Sequence, residues 1–225
     1  MGAITRSAAN NFTTGGVILP AGINDTTVAS ISQIENLAAG EALTFISEHT
    51  GSDSGTIQIT SGIDSTYPIY MLEFISMHPT TNYTDAVVNF STDGGSSYSS
   101  VNKTTTFTNA YNYETDSSAN FGYDTNRDLA QSTGDQKIST ENSADNDSRL
   151  SGRMYLFDPS NTTFVKHFLI QTVTTADPGD NVEWQNHNLV SGYCNTTSAI
   201  NGLIFNFVSG NIGDGKIKMY GIKDS

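Results

Sequence analysis

Cysteine occurs once, at Cys194, so no disulfide can close within the chain, and residues 1–12 contain no apolar signal-peptide core. Synthesis and folding in a cytoplasm are therefore expected. Basic residues are scarce: ten Lys and Arg stand against 23 Asp and Glu, for a formal net charge of −13. That balance argues against nucleic acid and anionic membranes as partners, because both contacts depend on clustered Lys and Arg. Long hydrophobic runs are missing too. The most apolar stretch, residues 68–77, is far too short to cross a bilayer, so no membrane insertion is expected. The four histidines, His49, His78, His167 and His187, are scattered, with no pair spaced to place two imidazoles on one face. No Gly-x-Ser-x-Gly elbow is present, and Cys194 reads as a packed thiol near a strand end. No catalytic residue, metal ligand or cofactor site is read, and a non-enzymatic protein is expected.

What the chain does contain is Ser, Thr, Asn and Gly around an apolar share of 36%, a composition that suits exposed β surfaces and polar turns. At 225 residues this predicts an all-β fold, an antiparallel β-sandwich over residues 41–225, preceded by an arm over residues 1–40. In the arm, Val28, Ile31, Ile34 and Leu37 recur every three residues between Asp25 and Gly40, which predicts one short amphipathic helix. Strands are expected at 42–48, 56–60, 68–77, 86–92, 153–157, 164–173, 189–194, 203–209 and 216–222. The strand at 68–77 organises the rest. Tyr70, Leu72 and Phe74 point one way and Ile69, Met71, Ile75 and Met77 the other, so both faces call for cover, the second from another layer or a neighbouring subunit. Val28, Ile31, Ile34, Ile69, Met71 and Ile75 are accordingly the candidate oligomer contacts.

Between Tyr98 and Arg149 long apolar runs disappear and acidic residues collect, which reads as an excursion of long loops. Its rings, among them Tyr111, Tyr113 and Tyr123, either anchor the loops or offer a stacking surface for a glycan or a protein partner. Trp184, the only tryptophan, reads first as a lid on the core and second as a sugar platform. Asp124, Asn126 and Asp128 have the spacing that opens a calcium loop, but Leu129 stands where the sharp turn needs glycine. An EF-hand is rejected, and a looser calcium loop stays open. Ser91-Thr92-Asp93-Gly94-Gly95-Ser96-Ser97-Tyr98 matches a single Asp-box, which specifies a tight hairpin turn rather than chemistry.

Several blocks together carry a resemblance. They include Gly62-Ile63-Asp64-Ser65-Thr66-Tyr67, Phe74-Ile75-Ser76-Met77-His78-Pro79, Asn102-Lys103-Thr104-Thr105-Thr106-Phe107 and Asp128-Leu129-Ala130-Gln131-Ser132-Thr133. Toward the end come Leu156-Phe157-Asp158-Pro159-Ser160, Gly192-Tyr193-Cys194-Asn195-Thr196-Thr197 and Ile217-Lys218-Met219-Tyr220-Gly221-Ile222-Lys223. With these the chain resembles virion structural proteins of tailed bacteriophages from aquatic hosts, of the cyanophage type, often tail-fibre-like. The resemblance runs from about residue 41 to the end. It implies a non-enzymatic β-rich module of the virion and does not fix where on the particle the module sits. The expected fold is a jelly-roll-like sandwich, and the expected role a short tail fibre or receptor-facing module. Alternatives are a capsid decoration or cement protein and a glycan-binding lectin-like module. Expected partners are further copies in a homotrimer, other virion proteins through the arm, and a host surface glycan or receptor.

Overall fold

The computed structural model describes residues 12–13, 16–17, 43–176 and 183–223. The chain divides into two compact units, Met1–Glu41 and Ala42–Ser225. In the first, β1 (Phe12–Thr13) pairs antiparallel with β2 (Gly16–Val17). The helix expected over 25–40, and with it Val28, Ile31 and Ile34, lies outside the described residues.

The second unit is all-β. Its strands are β3 (Leu43–Thr50), β4 (Ile57–Ile59), β5 (Ile69–Pro79), β6 (Ala86–Ser91), β7 (Lys103–Tyr113) and β8 (Ala119–Tyr123). They continue as β9 (Gln136–Lys137), β10 (Leu150–Phe157), β11 (Lys166–Ala176), β12 (Trp184–Cys194), β13 (Gly202–Phe207) and β14 (Ile212–Ile222). Eight strands make one antiparallel sheet in the order β3-β14-β5-β10-β11-β12-β7-β8, and four make a second, β4-β13-β6-β9. The two pack face to face as a sandwich. With β7, β8, β11 and β12 set aside, the eight remaining strands fall in chain order as first, eighth, third and sixth in the large sheet and second, seventh, fourth and fifth in the small one.

The nine expected strands are all present, and their alternation explains their faces. Tyr70, Leu72 and Phe74 on β5, Ile217 and Met219 on β14, and Leu203, Phe205 and Phe207 on β13 are all buried in one hydrophobic cluster. Phe74 meets Phe205 across the sandwich at 5.4 Å between ring centroids, and Phe90 meets Phe168 at 4.9 Å. Each such fully buried side chain contributes roughly 1.5–3 kcal/mol relative to exposure. Met77 departs from expectation: it is buried with the core and not on the face of Ile75. The reason is a bulge. Ser76 has φ of 50°, the pairing of β5 slips on both sides here, and the alternation of β5 inverts beyond it.

The Asp-box turn forms as its residues dictate. Asp93 Oδ1 accepts from Ser97 N at 2.9 Å and from Ser91 Oγ at 2.6 Å, while Gly94 and Gly95 take φ of 70° and 90°. A Cβ on Gly95 would stand 2.5 Å from Thr60 Cγ2. The turn does not close a hairpin, however. It leads out of β6 in the small sheet toward β7 in the large one.

The larger correction concerns residues 98–149, which hold β7, an eleven-residue strand central to one half of the large sheet, as well as β8 and β9. Thr104, Thr106 and Thr108 alternate with Lys103, Thr105 and Phe107, so the period-2 pattern is present but written in polar residues. Lys103 is fully buried. Its ammonium donates to Asn89 Oδ1 at 2.7 Å, to the Val101 carbonyl at 3.0 Å and to the Thr133 carbonyl at 3.3 Å, tying β6, the start of β7 and the following loop together.

Burial pulls the Lys103 pKa from 10.5 down to about 8, against the attraction of neighbouring groups that include Asp135. The unfolded chain therefore holds the extra proton between pH 8 and 10.5, and this group adds stability as pH rises through that window. Burial acts oppositely on Cys194, whose thiol is pushed from 9.0 up to about 12, so its contribution declines once pH passes 9. Urea unfolding should give a free energy that climbs between pH 7 and 9, by at most about 1 kcal/mol, and then turns down. Lys103→Met should lose most of the climb, Lys166 keeping a share because burial lowers its pKa as well, and an unchanged climb in that variant would refute the assignment.

Candidate functional site

The large sheet is twice as wide as the small one, and the segment between β8 and β10 covers the rest of its inner face. It first runs along the edge of β7, where Lys103 and Ser132 exchange backbone hydrogen bonds at 2.8 and 3.0 Å and Thr105 N donates to the Leu129 carbonyl at 2.9 Å. It then crosses beneath the sheet. Thr105 Oγ1 donates to Gln136 Oε1 at 2.6 Å, Thr172 Oγ1 to the Ile138 carbonyl at 2.5 Å and Thr174 Oγ1 to Asn142 Oδ1 at 2.8 Å. Asn188 and Thr140 continue this buried polar seam at 3.4 Å.

Arg127 pins the segment at the far end. Its guanidinium lies 2.6 Å from Asp124, 3.3 Å from Asp85 and 3.8 Å from Glu141, and Lys137 reaches Asp85 at 3.0 Å. Burial alone would raise the Asp124 pKa, but the Asn126 amide and the Arg127 guanidinium more than offset it and hold it below the ordinary carboxylate value. Asp124 is thus committed to Asn126 N and Arg127, and Asp128 accepts from the Tyr123 hydroxyl at 2.6 Å. The calcium-like spacing is used up in turns. Among the described residues no group of three His, Cys, Asp or Glu is placed to hold a metal ion.

Where the seam ends, β7 and β12 open a cavity of about 250 Å³ on the inner face. The register brings Tyr111 opposite Asn186 and Tyr113 opposite Trp184. Tyr113 and Trp184 are 4.7 Å apart between ring centroids and inclined at 50°, and Tyr111 meets Tyr113 edge-on at 5.7 Å. Three of the four residues expected to contact a glycan therefore converge. Tyr123 does not: it pairs with Thr108, which places it on the other face of the sheet. Trp184 is half-buried beside this cavity, outside the main hydrophobic cluster, and does not cap the core.

The cavity wall also holds Asn109, Arg127, Thr140, Glu141 and Asn186, none of which the sequence singles out. Arg127 alone carried a signal, as the only basic residue between Lys103 and Lys137. Comparison with known proteins adds nothing to this picture. No family model, curated protein or solved structure matches the chain.

The second feature is the outer face of the large sheet. Cross-strand register sets Phe45, Tyr220, Met71, Tyr155 and Leu169 in one row and Leu43, Ile222, Ile69 and Phe157 in the next. Leu43, Phe45, Phe157, Val173 and Leu189 are exposed there, Phe45 by 56%. Met71 is buried at 7% relative exposure between its row neighbours, whereas Ile69 and Ile75 are half-buried. Among the described residues no second sheet lies over this face. His167 is exposed here against Tyr193, and His187 shares a 2.8 Å hydrogen bond with Gln171.

Removing the Arg127 guanidinium would leave Asp85, Asp124 and Glu141 with only Lys137 for compensation. Arg127→Met should cost about 2–3 kcal/mol at pH 7. Because the Asp124 pKa is depressed in the folded state, its stabilising share is complete above the ordinary carboxylate pKa and is lost as pH falls through the folded value. The difference between wild type and variant in urea unfolding should therefore shrink at pH 3. An equal difference at both pH values would refute the charge account.

Proposed function

We propose that this chain is a non-enzymatic structural protein of a bacteriophage particle, a receptor-facing module of a short tail fibre. In this reading it assembles as a homotrimer through the outer face of its large sheet and joins other virion proteins through its leading 40 residues. The observation that carries the reading is that face. Eight strands spaced about 4.8 Å apart, with about four outward residues each, make a surface of roughly 34 by 23 Å, on the order of 800 Å², which is the area per partner of a standard interface.

Charge favours a second copy as its occupant. The chain carries −13 overall, so copies repel one another over most of their surface. On this face, in contrast, Glu48 is paired with Lys216 at 3.1 Å and Lys218 at 3.7 Å, and Glu73 sits opposite Arg153. The strand order supports a further detail: the two sheets are wired as a jelly roll into which β7–β8 and β11–β12 are inserted, both widening the same sheet. The resemblance to cyanophage-type virion proteins supports reading such a module as part of the particle.

Light scattering on the eluate of a sizing column at micromolar concentration should report a trimer for the wild type and a monomer for Phe45→Lys combined with Leu189→Lys. Both side chains are exposed, so the variant should still fold as a monomer, with cooperative unfolding whose midpoint, unlike that of the wild type, does not depend on protein concentration. A wild-type monomer in solution and in the particle would sink the assembly, and antibody labelling on the capsid would sink the fibre placement.

A further inference from the structure

We propose that the cavity between β7 and β12 is a binding site for one neutral sugar residue. This rests on the receptor-facing reading and names the chemistry that the module would recognise. Among the described residues three buried side-chain atoms lack a hydrogen-bond partner: Arg127 Nε, Arg149 Nη1 and Asn186 Nδ2. Two of the three belong to residues in the wall of this one cavity. Asn186 is 1% exposed, so an unused amide donor there carries a desolvation cost that folding does not recover.

The character of the wall selects the ligand. Both orphan atoms are N–H donors, so the ligand must bring an acceptor, which a purely cationic group lacks. Asp85, Asp124 and Glu141 surround the single guanidinium of Arg127, so an anionic ligand meets net negative charge. What remains is a neutral molecule that both accepts and donates. A sugar hydroxyl does both, accepting from Asn186 or Arg127 and donating to the half-exposed Glu141 carboxylate. The rings of Tyr111, Tyr113 and Trp184 supply the apolar surface on which the C–H face of a pyranose rests. At about 250 Å³ the cavity falls below the roughly 300–1,000 Å³ of clefts that take drug-sized ligands, a size suited to a single ring.

Trp184 is the only tryptophan, so its fluorescence reports on this site alone. The full chain is titrated to 100 mM with methyl glycosides of glucose, galactose, mannose, fucose and N-acetylglucosamine, and with sialic acid as the charged comparison. Saturable change with at least one neutral glycoside and none with sialic acid is the expected result. Asn186→Leu should weaken binding at least tenfold while leaving the unfolding midpoint unchanged or higher, which a purely structural asparagine would not do. Tyr111→Ala should weaken binding similarly and guards against a folding defect in the first variant. Silence with every neutral glycoside, binding of sialic acid alone, or undiminished binding in both variants would overturn the proposal. The two proposals fail separately: a trimer with silent tryptophan removes only the sugar site, and a monomer that binds sugar removes only the assembly.

Discussion

Four strands have to face eight. That mismatch between the two sheets governs the rest of the second unit, because the inner face of the large sheet beyond the small one would otherwise expose backbone and side chains on a surface shaped for burial. The cover is a segment of chain rather than a third sheet, and loops carry polar backbone that must be satisfied where it is buried. Thr105, Thr172, Thr174, Asn142 and Asn188 meet that demand from the strand and loop sides, and Lys103 adds an ammonium group that binds three partners at once. The burial of Lys103 depresses its pKa, a sign that the charge is held at a cost in desolvation. A hydrophobic residue there would pack, but the Val101 carbonyl would lose its ammonium donor, while Asn89 Oδ1 and the Thr133 carbonyl would keep only Phe90 N and Asn89 Nδ2.

The same mismatch separates what could be read from the sequence from what could not. Strands with apolar residues at every second position, such as β5 and β13, announce themselves, since their periodicity and their burial have one cause. β7 has the same periodicity carried by Thr, Asn and Lys, and its inward Thr105 is buried against Gln136 of a segment distant in the chain. No local pattern contains that information. The Ser76 bulge is a second case. A single positive φ inverts the alternation of β5, and the slip shows only in the pairings to β10 and β14.

The candidate site was half legible for a related reason. Tyr111, Tyr113 and Trp184 could be named as aromatic residues in polar surroundings, but their meeting depends on the β7–β12 register, which sets Tyr113 opposite Trp184. That register also sends Tyr123 to the other face. Asn186 looks like any asparagine of a polar strand, and its distinction is only that the polar seam stops one step short of it. Thr172 and Thr140 give Asn188 its partners, and nothing equivalent reaches Nδ2 of Asn186.

The placement of the two features on opposite faces of one sheet has a mechanical consequence. An interface on the outer face would leave the inner cavity open, so the proposed assembly and the proposed recognition would not compete for surface. A site for a single neutral sugar is weak by nature, because few atoms make contact and each hydroxyl exchanges a water for a protein group. In the trimer we propose, three such sites would turn the second and third encounters into intramolecular ones, and avidity would then exceed the single-site affinity by about 10²–10⁴ wherever the glycan spacing allows simultaneous contact. Weak sites held rigidly would suit the receptor-facing role proposed above, in which contact has to be reversible before it is committed. Rigidity is what the buried seam and the Arg127 cluster provide: they fix the loop that forms one wall of the cavity to the strands that form the other.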